Sequence, residues 1–363
     1  MFHATCIRRE RRYKLAKKTK VGLIGTGSIC QSVHIPAYLK HPDAEIVAIC
    51  DINPDTLKKV GDDLNIPEKM RFLNYEDLLK VKEIEMVDIC TPNYVHMDPT
   101  VKALKAGKHV ICEKPIALNA RQGERMVKAA KESGKKLMIA YCWRWNAGAQ
   151  ALKRFADSGA LGETYYARVQ ALRRRGVPSW GVFIDKEKQG GGPLIDIGCH
   201  ALDLTLYLMG HPKPIAASGK CYTKFGRKRG TFGVWGPWDY DNYTVEDFAV
   251  GFVRFENEAT LVIESSFCAN IEKDIFNTTI LGTEGGCELN PLKMYREENG
   301  TLIDITPVML PHVGTHEAEI FAFIDAIRND KPSPVPGEEG LMVAKILDAI
   351  YESSETGKEV AIR

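Results

Sequence analysis

The stretch Gly22-Leu23-Ile24-Gly25-Thr26-Gly27-Ser28-Ile29-Cys30 follows a short apolar run and opens a helical pattern. A glycine pair between a strand and a helix suits the tight turn at Gly25 and lets the backbone at Gly27 approach a pyrophosphate at the helix N-terminus. Asp51 ends the second apolar run, 26 residues after Gly25. That spacing is close to the one at which an acidic residue accepts hydrogen bonds from the ribose hydroxyls of a dinucleotide. Ile52 and Asn53 follow, with no arginine to clamp a 2′-phosphate, so NAD is favoured over NADP. Alone, a Gly-x-Gly pair is weak, and a glycine-rich turn with a capping Asp in another α/β protein would look similar. The third fingerprint position holds Cys30, which is still small enough for close helix–strand packing.

The next hundred residues repeat the strand–helix alternation. Apolar runs at 21–24, 46–49, 86–89, 110–111 and 137–139 suit strands buried on both faces. Helical patterns at 100–106 and 121–131 lie between them, the second closed by Gly134 in the manner of a C-cap. This alternation predicts a doubly wound parallel sheet. After about Tyr141 the texture changes. Runs at 165–172, 248–255, 260–267 and 277–281 read as longer strands with partial alternation, and a helix over 194–208 interrupts them. An α+β second domain with a mostly antiparallel sheet follows. Ile320, Phe323, Ile324 and Ile327 mark an amphipathic helix, the Pro-rich stretch 331–337 breaks it, and a last helix spans 341–351. Three segments are expected: a frayed tail at 1–19, a dinucleotide domain at 20–141 and a substrate domain at 142–363.

Charge and cysteine usage narrow the class. Residues 1–20 carry +7 of a net +2, which leaves a mildly acidic body at −5 and argues against a nucleic-acid surface. The run Arg8-Arg9-Glu10-Arg11-Arg12 resembles a twin-arginine export signal, but no apolar segment follows it, so a solvated tail on a cytoplasmic protein is expected. No run of about 18 apolar residues exists to span a membrane. The ten cysteines include no Cys-x-x-Cys pair and no metal-like cluster with His, so reduced thiols and no metal are expected.

Three local patterns carry chemistry. Thr91-Pro92-Asn93 follows the fourth parallel strand and should pass beside the cofactor, with His96 three residues on. Glu113-Lys114-Pro115 ends the next strand, at the edge where a nicotinamide and its substrate meet. Burial there favours the neutral amine, whereas Glu113 favours the cation. Gly190-Gly191-Gly192-Pro193 enters a helix carrying Asp196 and His200 four residues apart, hence on one face, with Asp196 able to orient or charge-couple the imidazole. Oxidation of an alcohol needs a base for the hydroxyl proton and a group that stabilises alkoxide charge. His200 suits the base and Lys114 the electrostatic role, although the two could be exchanged.

Taken together in this order, the glycine loop, Asp51, Thr91-Pro92-Asn93, Glu113-Lys114-Pro115 and Asp196-x-x-x-His200 resemble the glucose–fructose oxidoreductase / inositol dehydrogenase (GFO/IDH/MocA) family over about residues 20 to 363. The resemblance implies an N-terminal Rossmann domain and a C-terminal α/β domain whose large open sheet commonly forms a homodimer or homotetramer interface. It implies catalysis by Lys114, Asp196 and His200, and a cis Lys114-Pro115 bond. Gly25, Thr26, Gly27, Ser28, Ile29, Asp51, Ile52, Thr91, Pro92, Asn93, His96, Glu113 and Lys114 would then face the cofactor. Arg144 matches a position where relatives place a substrate-side arginine, and Trp143 or Trp180 could stack on a sugar ring. Asp185 and Lys186 could bond its hydroxyls. Arg173-Arg174-Arg175 reads as an exposed strand end in preference to a site for an acidic substrate, and residues 224–243 as a cover for the pocket or a contact with a neighbouring subunit.

The implied reaction is hydride transfer between NAD and a hydroxyl carbon of a sugar, glucoside or inositol-like polyol. Two other readings remain: an NAD-dependent glycosidase acting through transient oxidation, and a non-catalytic sugar and NAD sensor. Net NADH formation from free sugars would separate the first reading from the second. The acid/base pair counts against the sensor.

Overall fold

The computed structural model describes residues 18–311 and 314–363. The basic run at 8–12 lies outside them. Short Val-, Ile- and Met-rich runs form six parallel strands: β1 (Thr19–Ile24), β2 (Ala44–Cys50), β3 (Arg71–Phe72), β4 (Met86–Ile89), β5 (His109–Glu113) and β6 (Leu137–Ala140). β4 and β6 are buried along their whole length, as expected of strands covered by helices on both faces. The order is β3-β2-β1-β4-β5-β6, so the direction of winding reverses between β1 and β4. A crevice opens at the carboxyl ends of strands flanking such a reversal. Helix Ala120–Ser133 starts at Asn119, whose side chain accepts from Gln122 N–H at 3.0 Å, and ends at Gly134 with φ +64°, as predicted.

The second sheet has nine strands: β7 (Thr164–Leu172), β8 (Pro214–Tyr222), β9 (Phe248–Phe255), β10 (Thr260–Ser266), β11 (Ile275–Gly282), β12 (Gly285–Glu288), β13 (Lys293–Glu298), β14 (Thr301–Ile305) and β15 (Val360–Ala361). Their order is β14-β13-β12-β11-β7-β10-β9-β8-β15. β7 and β10 run parallel; every other neighbouring pair is antiparallel. The doubly wound parallel sheet and the mostly antiparallel second sheet match the expectation. β8 and β12 to β15 were not anticipated, because they are short or interrupted by small and polar residues, so apolar alternation does not mark them.

Two helices depart from expectation in an instructive way. The one expected at 194–208 opens as a π-helical turn, Leu194–Gly198, before the α-helix Cys199–Leu208. The wider turn is seated on β10: Ser265 Oγ donates to Pro193 O at 2.8 Å, and a Cβ at Gly198 would stand 3.2 Å from that hydroxyl. The glycine-loop helix likewise begins with a π turn, Cys30–His34. Such turns recur at functional sites. The last helix starts at Gly337 rather than near 341 and runs to Thr356. Added Cβ atoms at Gly337 and Gly340 would lie 2.7 Å from Leu137 and Ile139 side-chain atoms, so glycine here permits close packing on β6 instead of breaking the helix. The nine cysteines among the described residues are all free. No helix among these residues is long and apolar enough to cross a membrane.

Candidate active site

The glycine loop sits where the sheet reverses. Gly25 has φ +83°, donates its N–H to Cys50 O at 2.8 Å, and would place a Cβ 2.9 Å from the Cys90 carbonyl. Only glycine fits that turn. A Cβ on Gly27 would meet nothing within 4 Å, because the residue faces an open cleft. Asp51 closes the loop from behind: Oδ2 accepts from Thr26 N–H at 2.8 Å and from Thr26 Oγ1 at 3.0 Å, and Oδ1 accepts from Asn53 N–H at 2.9 Å. Thr26 is therefore buried behind the loop, while Ile52 stands exposed at its rim.

This cleft, of about 530 Å³, is lined by Gly27, Ser28, Ile29, Thr91, Pro92 and Asn93, by Glu113 and Lys114, and on the facing side by Trp180 and Phe183. The strand-end loops are tied beneath it. His96 is fully buried, with Nδ1 2.8 Å from Pro115 O and Nε2 2.8 Å from Thr91 O. Expected beside the cofactor, it instead braces the two loops that line the cleft. Burial holds its pKa below the ordinary imidazole value, against the two carbonyls that favour the cation. The Lys114-Pro115 bond is cis.

A second cleft, of about 800 Å³, adjoins the first and is lined by Trp143, Arg173, Asp196, His200, Phe276 and Asn290, among others. Lys114 joins the two. From the first cleft its Nζ donates to Asp196 Oδ1 and to the Asp196 carbonyl, each at 3.0 Å. Arg173 reaches the other carboxylate oxygen at 3.4 Å. Asp196 was expected to orient or charge-couple His200; its side chain is spent on Lys114 and Arg173, so it does not orient the ring by a hydrogen bond, and its charge acts on the imidazole through the electrostatic field. Nδ1 of His200 is buried without a hydrogen-bond partner, and its ring meets Tyr141 edge-on at 6.0 Å.

The charges follow from this packing. Burial opposes the Lys114 ammonium, but Asp196 and Glu113 outweigh it and hold its pKa above the ordinary range. Burial, and then the Lys114 cation, push His200 down to about 3. The site thus pairs a fixed cation with a neutral imidazole.

Sugar-side expectations fare unevenly. Trp143 lines the second cleft, stacked on Phe276 at 4.0 Å. Arg144 does not: it is 3% exposed and turned away, bound through Nε to Asp203 at 2.8 Å and through its other nitrogens to Asp203 and Glu339. Cys142–Trp145 is a 3-10 turn, whose successive side chains diverge by about a third of a turn, so one reaches the cleft and its neighbour the interior. Trp180 borders the dinucleotide cleft rather than the sugar cleft. Asp185 and Lys186 sit on another surface, where Asp185 caps the short helix Lys186–Gln189. Within residues 224–243, Trp238 and Tyr243 join a small core with Val177 and Phe267, and the Arg173 guanidinium lies 5.1 Å from the Trp235 ring. Arg173 was missed. Its signal was parity: Ala167, Val169 and Ala171 face the helices, and Arg173 continues that face beyond the strand end.

The residues present fit a dinucleotide: an open space at Gly27, a glycine-only turn at Gly25 and a carboxylate at the end of β2. Among the described residues the grouping with metal-like spacing is His34, Asp88 and Cys90, and both His34 nitrogens are already spent on carboxylates.

Comparison with known proteins agrees with this geometry. Residues 19–141 match the NAD-binding Rossmann domain of an oxidoreductase family, and residues 153–362 match its C-terminal α/β domain. D-glucoside 3-dehydrogenase of Escherichia coli is 35% identical over 349 residues, which span 94% of this chain and 97% of that protein. D-apiose dehydrogenase of Paraburkholderia graminis is 25% identical, over 96% of this chain and 90% of its own. The structure of levoglucosan dehydrogenase with NADH and levoglucosan superposes with a TM-score of 0.82 at 25% identity, covering 95% of this chain and all of that one. Both domains, in order and over nearly the full length, place the chain in the GFO/IDH/MocA family of oxidoreductases, as a sugar or polyol dehydrogenase acting on CH–OH groups.

Proposed function

We propose that the protein oxidises a secondary hydroxyl of a glucoside or closely related sugar, with NAD as hydride acceptor. The observation that carries the reading is Lys114, which lines the dinucleotide cleft and is bonded to Asp196 of the adjoining cleft at 3.0 Å. When bound, the nicotinamide supplies an acceptor for the hydride leaving the carbinol carbon.

The chain's own groups do the rest. His200, neutral at physiological pH, accepts the hydroxyl proton as the carbonyl forms. Lys114, held as a cation, has no lone pair to offer as base and instead stabilises the oxygen while it bears alkoxide charge. Of the two role assignments the sequence left open, these charges support His200 as base and Lys114 as the electrostatic group. Asp196 and Arg173 fix the ammonium in place, and Trp143 on Phe276 offers an aromatic wall to a pyranose ring. A carboxylate at Asp51, which repels a 2′-phosphate, supports NAD over NADP. The similarity to D-glucoside 3-dehydrogenase supports a glucoside over a free pentose or inositol.

The test is absorbance of NADH during incubation of the purified protein with NAD and a panel of methyl glucosides, free aldoses and inositols. The reading expects stoichiometric NADH with glucosides as the best substrates. Glycoside cleavage without net NADH would overturn it, as would activity confined to inositols.

A further inference from the structure

His34 lies under the active site and takes no part in the chemistry described above. It is fully buried on the first turn of the glycine-loop helix. Its Nδ1 stands 2.7 Å from Asp88 Oδ2 on β4, and its Nε2 stands 2.9 Å from Glu113 Oε1 on β5. Asp88 also accepts the Tyr38 hydroxyl at 2.9 Å and the Cys90 thiol at 3.3 Å, while Glu113 Oε2 accepts Lys114 N–H at 3.1 Å. Carboxylates that accept this many donors are ionised, and an imidazole between two ionised carboxylates must carry a proton on each nitrogen.

A row of alternating charge results: Asp88 negative, His34 positive, Glu113 negative, Lys114 positive, Asp196 negative, Arg173 positive, joined by ion pairs except between Glu113 and Lys114, where the carboxylate accepts the backbone N–H and its charge reaches the ammonium through space. It runs from beneath the helix that would bear the pyrophosphate to the wall of the sugar cleft. We propose that His34 is a positioning residue, present as the imidazolium, which locks the dinucleotide-binding helix to the strand of Lys114 and keeps Glu113 ionised so that Lys114 remains a cation. The proposal rests on the electrostatic role of Lys114 given above.

Other charged groups face this row. His34 and Glu113 also act through space on His316 and Glu319 of the helix Thr315–Arg328. Burial, with Glu113 and Asp88 nearby, raises the Glu319 pKa well above the ordinary carboxylate range. Lys114 faces Asp196, Glu113, His200 and the Cys199 thiol. Without the imidazolium, two buried carboxylates would lie together uncompensated, and burial would drive Glu113 to take a proton. Lys114 would then keep only one of its two anionic neighbours.

Two measurements on the cofactor-free full chain decide the matter without sugar or turnover, so they stand apart from the choice of substrate. The first is the ¹⁵N shifts of the His34 ring in wild type: the proposal expects both nitrogens protonated throughout pH 6 to 8, and a neutral tautomer in that range overturns it. The second is titration of Lys114, followed by ¹³C NMR after reductive methylation, in wild type and in His34→Gln. The expected result is a tenfold or greater loss of proton affinity at Lys114 in the variant. Tyr38→Phe, which loosens Asp88 without touching Glu113, is expected to leave Lys114 unchanged. A folded His34→Gln protein with wild-type Lys114 titration reduces His34 to a packing residue. Should His34→Gln not fold, Glu113→Gln takes its place with the same expectation for Lys114.

Discussion

Two ion pairs rise from the same stretch of chain and behave in opposite ways. Asp196 and Asp203 lie seven residues apart on one continuous helical segment, and each meets a cation delivered from near a parallel strand end. Arg144 is 3% exposed and saturated by Asp203 and Glu339, with its guanidinium over the Tyr207 ring at 4.8 Å. Lys114, by contrast, borders one cleft while its partner borders the next, and the adjacent His200 nitrogen is left without a bond. A pair with nothing to spare holds helices together. A pair with an unspent ammonium hydrogen at the border of two clefts is the one on which the proposed chemistry rests.

Breaking this contrast should separate activity from stability. The largest effect is expected from His200→Asn: kcat should fall by roughly 10²–10⁴-fold, the usual worth of a positioned base, with NAD affinity little changed. Steady-state rates and a binding titration would show it. Arg144→Leu should do the reverse. It leaves two carboxylates without their cation, which costs about 3–5 kcal/mol of stability, visible as a lower denaturation midpoint, while kcat per folded molecule stays within a few-fold of wild type.

The pH dependence sharpens the picture. Because burial and Lys114 lower the His200 pKa to about 3, the imidazole remains a proton acceptor as pH falls through the ordinary value near 6.5. kcat/KM should therefore be flat from about pH 7 down to about pH 5, and an acid limb near 6.5 would show an ordinary histidine. The smallest effect is expected from Trp143→Leu, which removes the indole from the sugar cleft. KM for the sugar should rise about five- to tenfold, equivalent to ~1 kcal/mol of stacking, with NAD affinity unaffected.

How legible the site was depends on how it is built. The dinucleotide half is a matter of backbone: a glycine that must adopt φ +83°, a second that must leave space, and an acid at the next strand end. Such requirements are local in the chain, so spacing alone reveals them. The sugar half gathers side chains from Trp143, Arg173, His200, Phe276 and Asn290, and strand order decides who meets whom. β7 lies between β10 and β11, although it ends 88 residues before the first begins and 103 before the second. Parity along β7 gives the face of Arg173 but not that neighbourhood. Arg144 misled for the same reason, since its fate depends on Asp203 and Glu339, both remote in sequence. His34 was unreadable too, because a lone histidine on a helix says nothing until β4 and β5 set their carboxylates on either side of it.

The most direct measurement compares Lys114→Met with wild type in two assays on the same preparation: equilibrium binding of NAD and the rate of NADH formation from a glucoside. A cation that serves the developing alkoxide predicts binding within about twofold of wild type and turnover lower by roughly 10²–10³-fold. Undiminished turnover, or a loss traced wholly to NAD no longer binding, would contradict the placement of Lys114 at the reacting oxygen.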